Sequence, residues 1–374
     1  MIHKGAALLV VLLGVALWAQ SPASPLPRRA WLGVALAPHD PGVAVTAVVE
    51  GSSAAAAGIR AGDVIRTIDM ETPRAPQEVI DAVTRHGSGE TMALEIERGG
   101  VVERHAAALK PLPRETLPDT TFEYGAVTLA DGSRLRTIVS VPQRPGHMPA
   151  VMLLQGGGCG SIDVPMAPDT GTPGLLRRIA AQGYVTMRVE KSGVGDSEGP
   201  ACAEIGYTQE LEGYRAALAA LKHHPSVDNS EVYLLGISLG GVFAPIVARE
   251  NPVRGIAVFG APPFAPSPYP GRSERFFREI AGIDLDTAWT STTARVLVMY
   301  GEFDESAQDM DRGKIARLVN GRRPGAARQI ELKGEDHCWS RHESMEQSRG
   351  HCGQGKNEEP LVAETILEFL RPSK

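Results

Sequence analysis

The chain has 374 residues, enough for two domains at roughly 100 to 200 residues each, and its 43% apolar and 22% charged residues are ordinary globular usage. That composition excludes a disordered chain, a collagen-like chain and a multi-span membrane protein. Acidic residues outnumber basic ones by 44 to 38, and a net charge of -6 leaves no electrostatic footprint for wrapping nucleic acid.

At the N-terminus, Lys4 precedes an uncharged apolar run from Ala6 to Trp18, followed by Ala19, Gln20, Ser21, Pro22 and Ala23. Residues 1–23 have the profile of a signal peptide, with cleavage after Ala19 or after Ala23. At about 1.5 Å per residue the run is too short for a hydrocarbon core of about 30 Å. The expectation is export to the periplasm or beyond, with no stable membrane span after cleavage. Export makes the four cysteines candidates for two disulfides. We expect Cys159 with Cys202 and Cys338 with Cys352; four reduced thiols are the alternative. No C-x-x-C occurs, so a four-cysteine zinc site fits poorly and no metal is expected.

After Pro22, Pro25 and Pro27, a stiff leader, a first block runs over residues 30–113. Val43 to Val49 and Met92 to Arg98 read as strands, and Pro76 to His86 as a helix with Val79, Ile80 and Val83 on one face. Between them lies Ala57-Gly58-Ile59-Arg60-Ala61-Gly62-Asp63-Val64-Ile65, where glycines supply turns and apolar residues return to the core. This string resembles the PDZ signature of bacterial envelope proteases. Trp31, Leu32, Gly33 and Val34 resemble that family's carboxylate-binding loop and first groove strand. The resemblance implies capture of peptide or protein C-termini by strand addition between Trp31–Val34 and the helix from Gln77 to Arg85. A module that only packs against its neighbour is the alternative.

Pro111, Pro113 and Pro118 mark a boundary, and a second block covers residues 119–374. Phe122 to Leu129 and Arg134 to Val141 flank Asp131-Gly132, a hairpin signal. Strand-like and helical runs then alternate to the C-terminus without an internal repeat. That order predicts an α/β fold with a doubly wound, mostly parallel sheet covered on both faces.

Within this block Gly236-Ile237-Ser238-Leu239-Gly240 follows the strand Val232 to Leu235 and opens a helix, the context a G-x-S-x-G nucleophile elbow requires. A serine hydroxyl needs a histidine to take its proton, and the histidine needs a carboxylate. In the order serine, acid, histidine, the candidates are Asp304, just past the strand Val296 to Tyr300, and His337, after the strand ending near Leu332. Glu302 and Glu305 compete with Asp304, while His342 and His351 read as surface residues. An oxyanion needs N–H donors, and the candidates are Leu239 and Gly157, with Gly158 next, in the run Gln155 to Gly160. No Lys-Ser or Lys-Thr follows that run, and Gly193-x-Gly195-x-x-x-Gly199 is off-register for a dinucleotide, so no cofactor is expected.

Together these residues resemble the α/β-hydrolase superfamily, in its esterase, dienelactone-hydrolase-like and peptidase-like branches. Arg188 to Gly199 resembles the loop after the fourth strand of that fold. Gln155 departs from the histidine many members carry there, and Cys338 adjoins the candidate histidine. Phe264, Tyr269, Phe276, Phe277 and Trp289 form an aromatic-rich segment, either an apolar lid over Ser238 or anchors holding the segment to the body. Arg272, Arg275 and Arg278 read as a solvated helix face. Three functions follow: a serine hydrolase of small acyl esters, a serine peptidase fed by the PDZ-like module, or a non-catalytic envelope adaptor.

Overall fold

The computed structural model describes residues 25–166, 169, 171–268, 270–357 and 359–371; the expected leader, 1–23, and Tyr269 lie outside the described residues. The first block is a five-stranded antiparallel sheet of β1 (Val34–Pro38), β2 (Val43–Val48), β3 (Val64–Ile68), β4 (Thr91–Arg98) and β5 (Val101–Ala108), paired in chain order. Alternation sets its inner face. Val43 and Val45 on β2, and Met92, Leu94 and Ile96 on β4, are buried against one another. Gly58 and Gly62 adopt positive φ at the turns that return Ile59 and Ile65 to this core. Helix α1 (Pro76–Arg85) opens on proline and buries Val79, Ala82 and Val83. Ile80 departs from the expected face and is 49% exposed, because one residue along a helix rotates the side chain by about 100°.

The second block is an eight-stranded sheet. Its strands are β6 (Thr120–Thr128), β7 (Arg134–Pro142), β8 (Met148–Leu154), β9 (Val185–Val189), β10 (Val227–Ile237), β11 (Gly255–Phe259), β12 (Arg295–Gly301) and β13 (Ala327–Leu332). Their spatial order is β13-β12-β11-β10-β8-β9-β7-β6, parallel from β13 to β9 and antiparallel across β9, β7 and β6. On the central strand β8, Ala150, Met152 and Leu154 join one core while Val151 and Leu153 join the other. Helices α2 (Gly171–Ala181) and α3 (Tyr207–Lys222) cover opposite faces, and so do α4 (Gly240–Glu250) and the C-terminal helix Glu359–Leu370. The chain leaves β8 toward β9 and returns to the other side of β8 as β10, so strand order reverses between these neighbours. Ligand sites of open α/β sheets lie at the carboxyl ends of such a pair.

The two blocks meet through the segment from Leu26 to Arg29. Arg28 pairs with Asp163 and, at 2.6 Å, with Asp196, and its guanidinium lies 4.4 Å from the centre of the Tyr124 ring. Arg29 donates to Asp196 from its backbone N–H (2.8 Å) and to Ser161 Oγ (2.8 Å) and the Asp163 carbonyl (2.6 Å) from its side chain. Arg136, buried, reaches Asp196 at 3.0 Å and the Leu26 carbonyl at 2.7 Å. The end of the expected stiff leader is thus tied to the second block through the Leu26 and Pro27 carbonyls, while Ala30–Trp31 pairs with Lys110–Pro111 in the first.

Candidate active site

β10 ends at Ile237, and the chain must turn sharply to begin α4. Ser238 sits at the turn with φ 51°, a left-handed conformation that costs a non-glycine residue energy. A Cβ on Gly236 would lie 2.8 Å from the Gly240 backbone, and one on Gly240 would strike the Leu154 carbonyl of β8. Both positions therefore require glycine. The turn is tied down by the Ser238 N–H donating to the Phe259 carbonyl at 2.8 Å. Leu239 follows at the start of α4, where helix N–H groups lack internal acceptors.

Asp304 and His337 come from the ends of neighbouring strands. Asp304, fully buried after β12, accepts a hydrogen bond from His337 Nδ1 at 2.8 Å. With Nδ1 carrying the proton, Nε2 is left as the basic nitrogen. Burial alone would lower the pKa of His337, but the Asp304 hydrogen bond and charge, with Asp336 adding, hold it above its ordinary value. Gly260, at the end of β11 with φ 59°, makes room for this pair: a Cβ there would lie 2.6 Å from His337 Cε1 and 3.1 Å from Asp304 Oδ2. Glu302 instead accepts from the Gly334 N–H at 2.9 Å, and Glu305 faces the Gly350 N–H at 3.4 Å.

Two residues around His337 escaped the sequence reading. Ser306 Oγ donates to Asp304 Oδ1 at 2.5 Å and lies 2.9 Å from His337 Nδ1. Asp336, buried, accepts from the N–H groups of Cys338 (2.8 Å), Ser340 (2.8 Å) and Gly353 (3.0 Å), and from Ser340 Oγ and His342 Nε2. Burial opposes its charge, yet these donors hold its carboxyl below the usual range. His342 is thus a mostly buried partner of Asp336 rather than a surface residue, whereas His351 is exposed. The turn signal was legible in Gly334 to His337, but a carboxylate gathering donors from both sides of the loop has no local signature.

A cavity of about 640 Å³ joins these elements, with Ser238, His337, Leu239 and Gly156 to Gly158 on its wall. Among the described residues, the N–H groups of Gly157 and Leu239 find no protein acceptor. Apolar surface comes from Ile237, Pro262, Pro266, Met310 and Trp339. Among the described residues, no Asp, Glu, Lys or Arg side chain lines it. Both disulfides border the site: Cys159–Cys202 follows the glycine run, and Cys338–Cys352 follows His337.

Phe276, Phe277 and Trp289 are buried in the core and anchor that segment, whereas Phe264 is 45% exposed; none of the four lines the cavity. The solvated-face reading holds for Arg275 and Arg278, but Arg272 is buried against Glu210 and stacks 4.0 Å above Phe276.

In the first block, Trp31 to Val34, Leu36, Val79, Ile80 and Val83 line a groove of about 220 Å³. The carbonyls of Trp31, Leu32 and Gly33 are taken by Ser53 Oγ (2.6 Å), the Ala54 N–H (2.8 Å) and the Val49 N–H (2.9 Å). Among the described residues, the N–H groups of Leu32 and Gly33 find no acceptor.

Comparison with known proteins places names on both blocks. Residues 30–109 match the family model of the PDZ domain, and residues 131–274 match that of X-Pro dipeptidyl-peptidase (S15 family). The chain is 25% identical over 198 residues to Esterase EstD of Thermotoga maritima, covering 52% of this chain. It is 26% identical over 129 residues to the uncharacterized peptidase YtmA of Bacillus subtilis, covering 34%. The matched segments span 46% of each relative's own length. The structure of DcsB in complex with its substrate analogue superposes with a TM-score of 0.52 at 18% identity, covering 67% of this chain and 98% of that one. No helix among the described residues is long and apolar enough to cross a membrane. The chain therefore joins an N-terminal PDZ domain to a second domain of α/β-hydrolase fold.

Proposed function

We propose that this protein is an exported serine hydrolase that cleaves small carboxylic esters through an acyl-enzyme on Ser238. The observation that carries the reading is one cavity at the switch point of the sheet, holding Ser238 and the Asp304-oriented His337 in an apolar, uncharged wall. In the proposed reaction Ser238 Oγ attacks the ester carbonyl while His337 Nε2 takes its proton, and Asp304 stabilises the imidazolium. The N–H groups of Gly157 and Leu239 receive the oxyanion. His337 returns the proton to the departing alcohol, and water then releases the acid by the same steps.

The related esterase of Thermotoga maritima supports the ester reading. The S15 match and the Bacillus subtilis relative favour the second reading, a peptidase to which the PDZ domain presents chain ends. The described cavity wall offers no carboxylate to a peptide's terminal ammonium, which favours the ester. The free N–H groups of Leu32 and Gly33 support capture of a peptide carboxylate in the PDZ groove. Two disulfides support an oxidising compartment, periplasmic or extracellular.

Assays of the purified protein and Ser238→Ala on short-chain esters, long-chain esters and a peptide panel test this. Ester turnover lost in the variant is the expected result. Turnover confined to peptides would move the assignment to the peptidase, and peptide binding with no turnover to the adaptor.

A further inference from the structure

Beneath the glycine run lies a cluster that the proposed reaction does not use directly. Lys191 Nζ, with its side chain 1% exposed, donates to the Gly156 carbonyl at 2.6 Å and to the Gly158 carbonyl at 2.9 Å. Arg272 Nη1 reaches the intervening Gly157 carbonyl at 3.3 Å. Both cations pair with one buried carboxylate: Glu210 lies 3.1 Å from Lys191 and accepts from Arg272 through its other oxygen. Tyr214 extends the cluster, its hydroxyl accepting from the Gln155 N–H at 3.1 Å and contacting Glu210 at 3.3 Å.

A trans peptide is planar and points its carbonyl and the next N–H in opposite directions. Anchoring the Gly156 carbonyl on Lys191 therefore turns the Gly157 N–H away from the cluster, toward the cavity, and anchoring the Gly157 carbonyl on Arg272 does the same for Gly158. Burying three ionisable side chains is costly, and such an arrangement persists where its geometry serves a task.

Resting on the reading of Ser238 as nucleophile, we propose that Lys191 and Arg272, held by Glu210, are positioning residues for the oxyanion hole. They fix three successive carbonyls of the Gly156–Gly158 loop so that its N–H groups meet the developing oxyanion. They touch the backbone and not the substrate, so their loss acts on the tetrahedral state and leaves ground-state binding alone.

The test compares a trifluoromethyl ketone, which adds the serine and carries an oxyanion, with the methyl ketone of the same shape, which binds without forming one. Lys191→Met is expected to lose about 10²-fold in kcat with KM held within about twofold. The affinity ratio of trifluoromethyl to methyl ketone should fall with kcat. If Lys191→Met does not fold, as judged by its thermal transition, Arg272→Gln is read the same way. A folded variant that keeps the wild-type ketone ratio, or that loses affinity for both ketones equally, overturns the proposal. A wild type that does not label with a fluorophosphonate at Ser238 instead removes the nucleophile reading, and the proposal falls with it, a failure distinct from an unchanged ratio in a labelling enzyme.

Discussion

His337 is a base only when neutral, and its surroundings set when that is. The Asp304 contact holds its pKa above the ordinary value of 6.5 against the effect of burial. The sign is that activity is lost as pH falls through the folded-state pKa, so the acid limb of kcat/KM should have its midpoint above 6.5. Asp304→Asn removes the raising contact and the constraint on the tautomer. It should lower kcat by about 10⁴-fold and move the limb to lower pH, as pH-rate profiles of the two proteins will show. Residues with a local signature were legible in the sequence. Ser238 announces itself because a sharp turn needs glycine on both sides, and Asp304 and His337 follow from their order along the chain. Ser306, Asp336 and Lys191 were not legible, because each acts through partners set by the tertiary fold. Arg272 shares its spacing with the exposed Arg275 and Arg278, and partners distant in sequence, Glu210 62 residues away and the Gly157 carbonyl 115 away, distinguish it.

At the scale of elements, the loops that carry the candidate catalytic residues are tethered at points just beyond them. The Cys338–Cys352 bond closes a segment of 14 residues directly after His337, and Asp336 gathers N–H groups from both sides of it. Replacing both cysteines by serine should cost about 3 kcal/mol of stability, measured by chemical denaturation. It should also lower kcat more than it raises KM, because the histidine loses its fixed approach while the cavity wall remains. The apolar runs that form β8, β11 and β12 were legible as strands, since a sheet covered on both faces requires them, whereas β10 begins at Val227, before the expected Val232, in a stretch that is not apolar. Ile80 was misread for a physical reason. Helical periodicity does not separate a residue facing the core from one bordering a groove, and Ile80 lies on that border.

At the scale of the whole molecule, the PDZ and hydrolase domains are joined by charge. Arg28 serves two carboxylates, Asp163 and Asp196, that are almost wholly buried in the hydrolase domain. Arg28→Ala leaves that buried pair with one cation fewer and should destabilise the protein by about 3 kcal/mol, seen as a lower denaturation midpoint. Arg29, which lines the PDZ groove, also contacts Ser161 just beyond the glycine run. None of this joint was legible in the sequence, where Pro22, Pro25 and Pro27 mark a stiff leader but give no sign of what it docks against. The division into two blocks was legible, because the hydrophobic pattern changes after Pro113 from short strands to alternating strands and helices.

The central claim is that Ser238 is the nucleophile of a working hydrolase. Its most direct test is fluorophosphonate labelling of the full chain, with the modified residue located by peptide mass mapping. The account predicts one phosphonyl group on Ser238, absent from Ser238→Ala and slowed by a competing short-chain ester. A folded wild type that takes up no label, or takes it up equally in the variant, would contradict it.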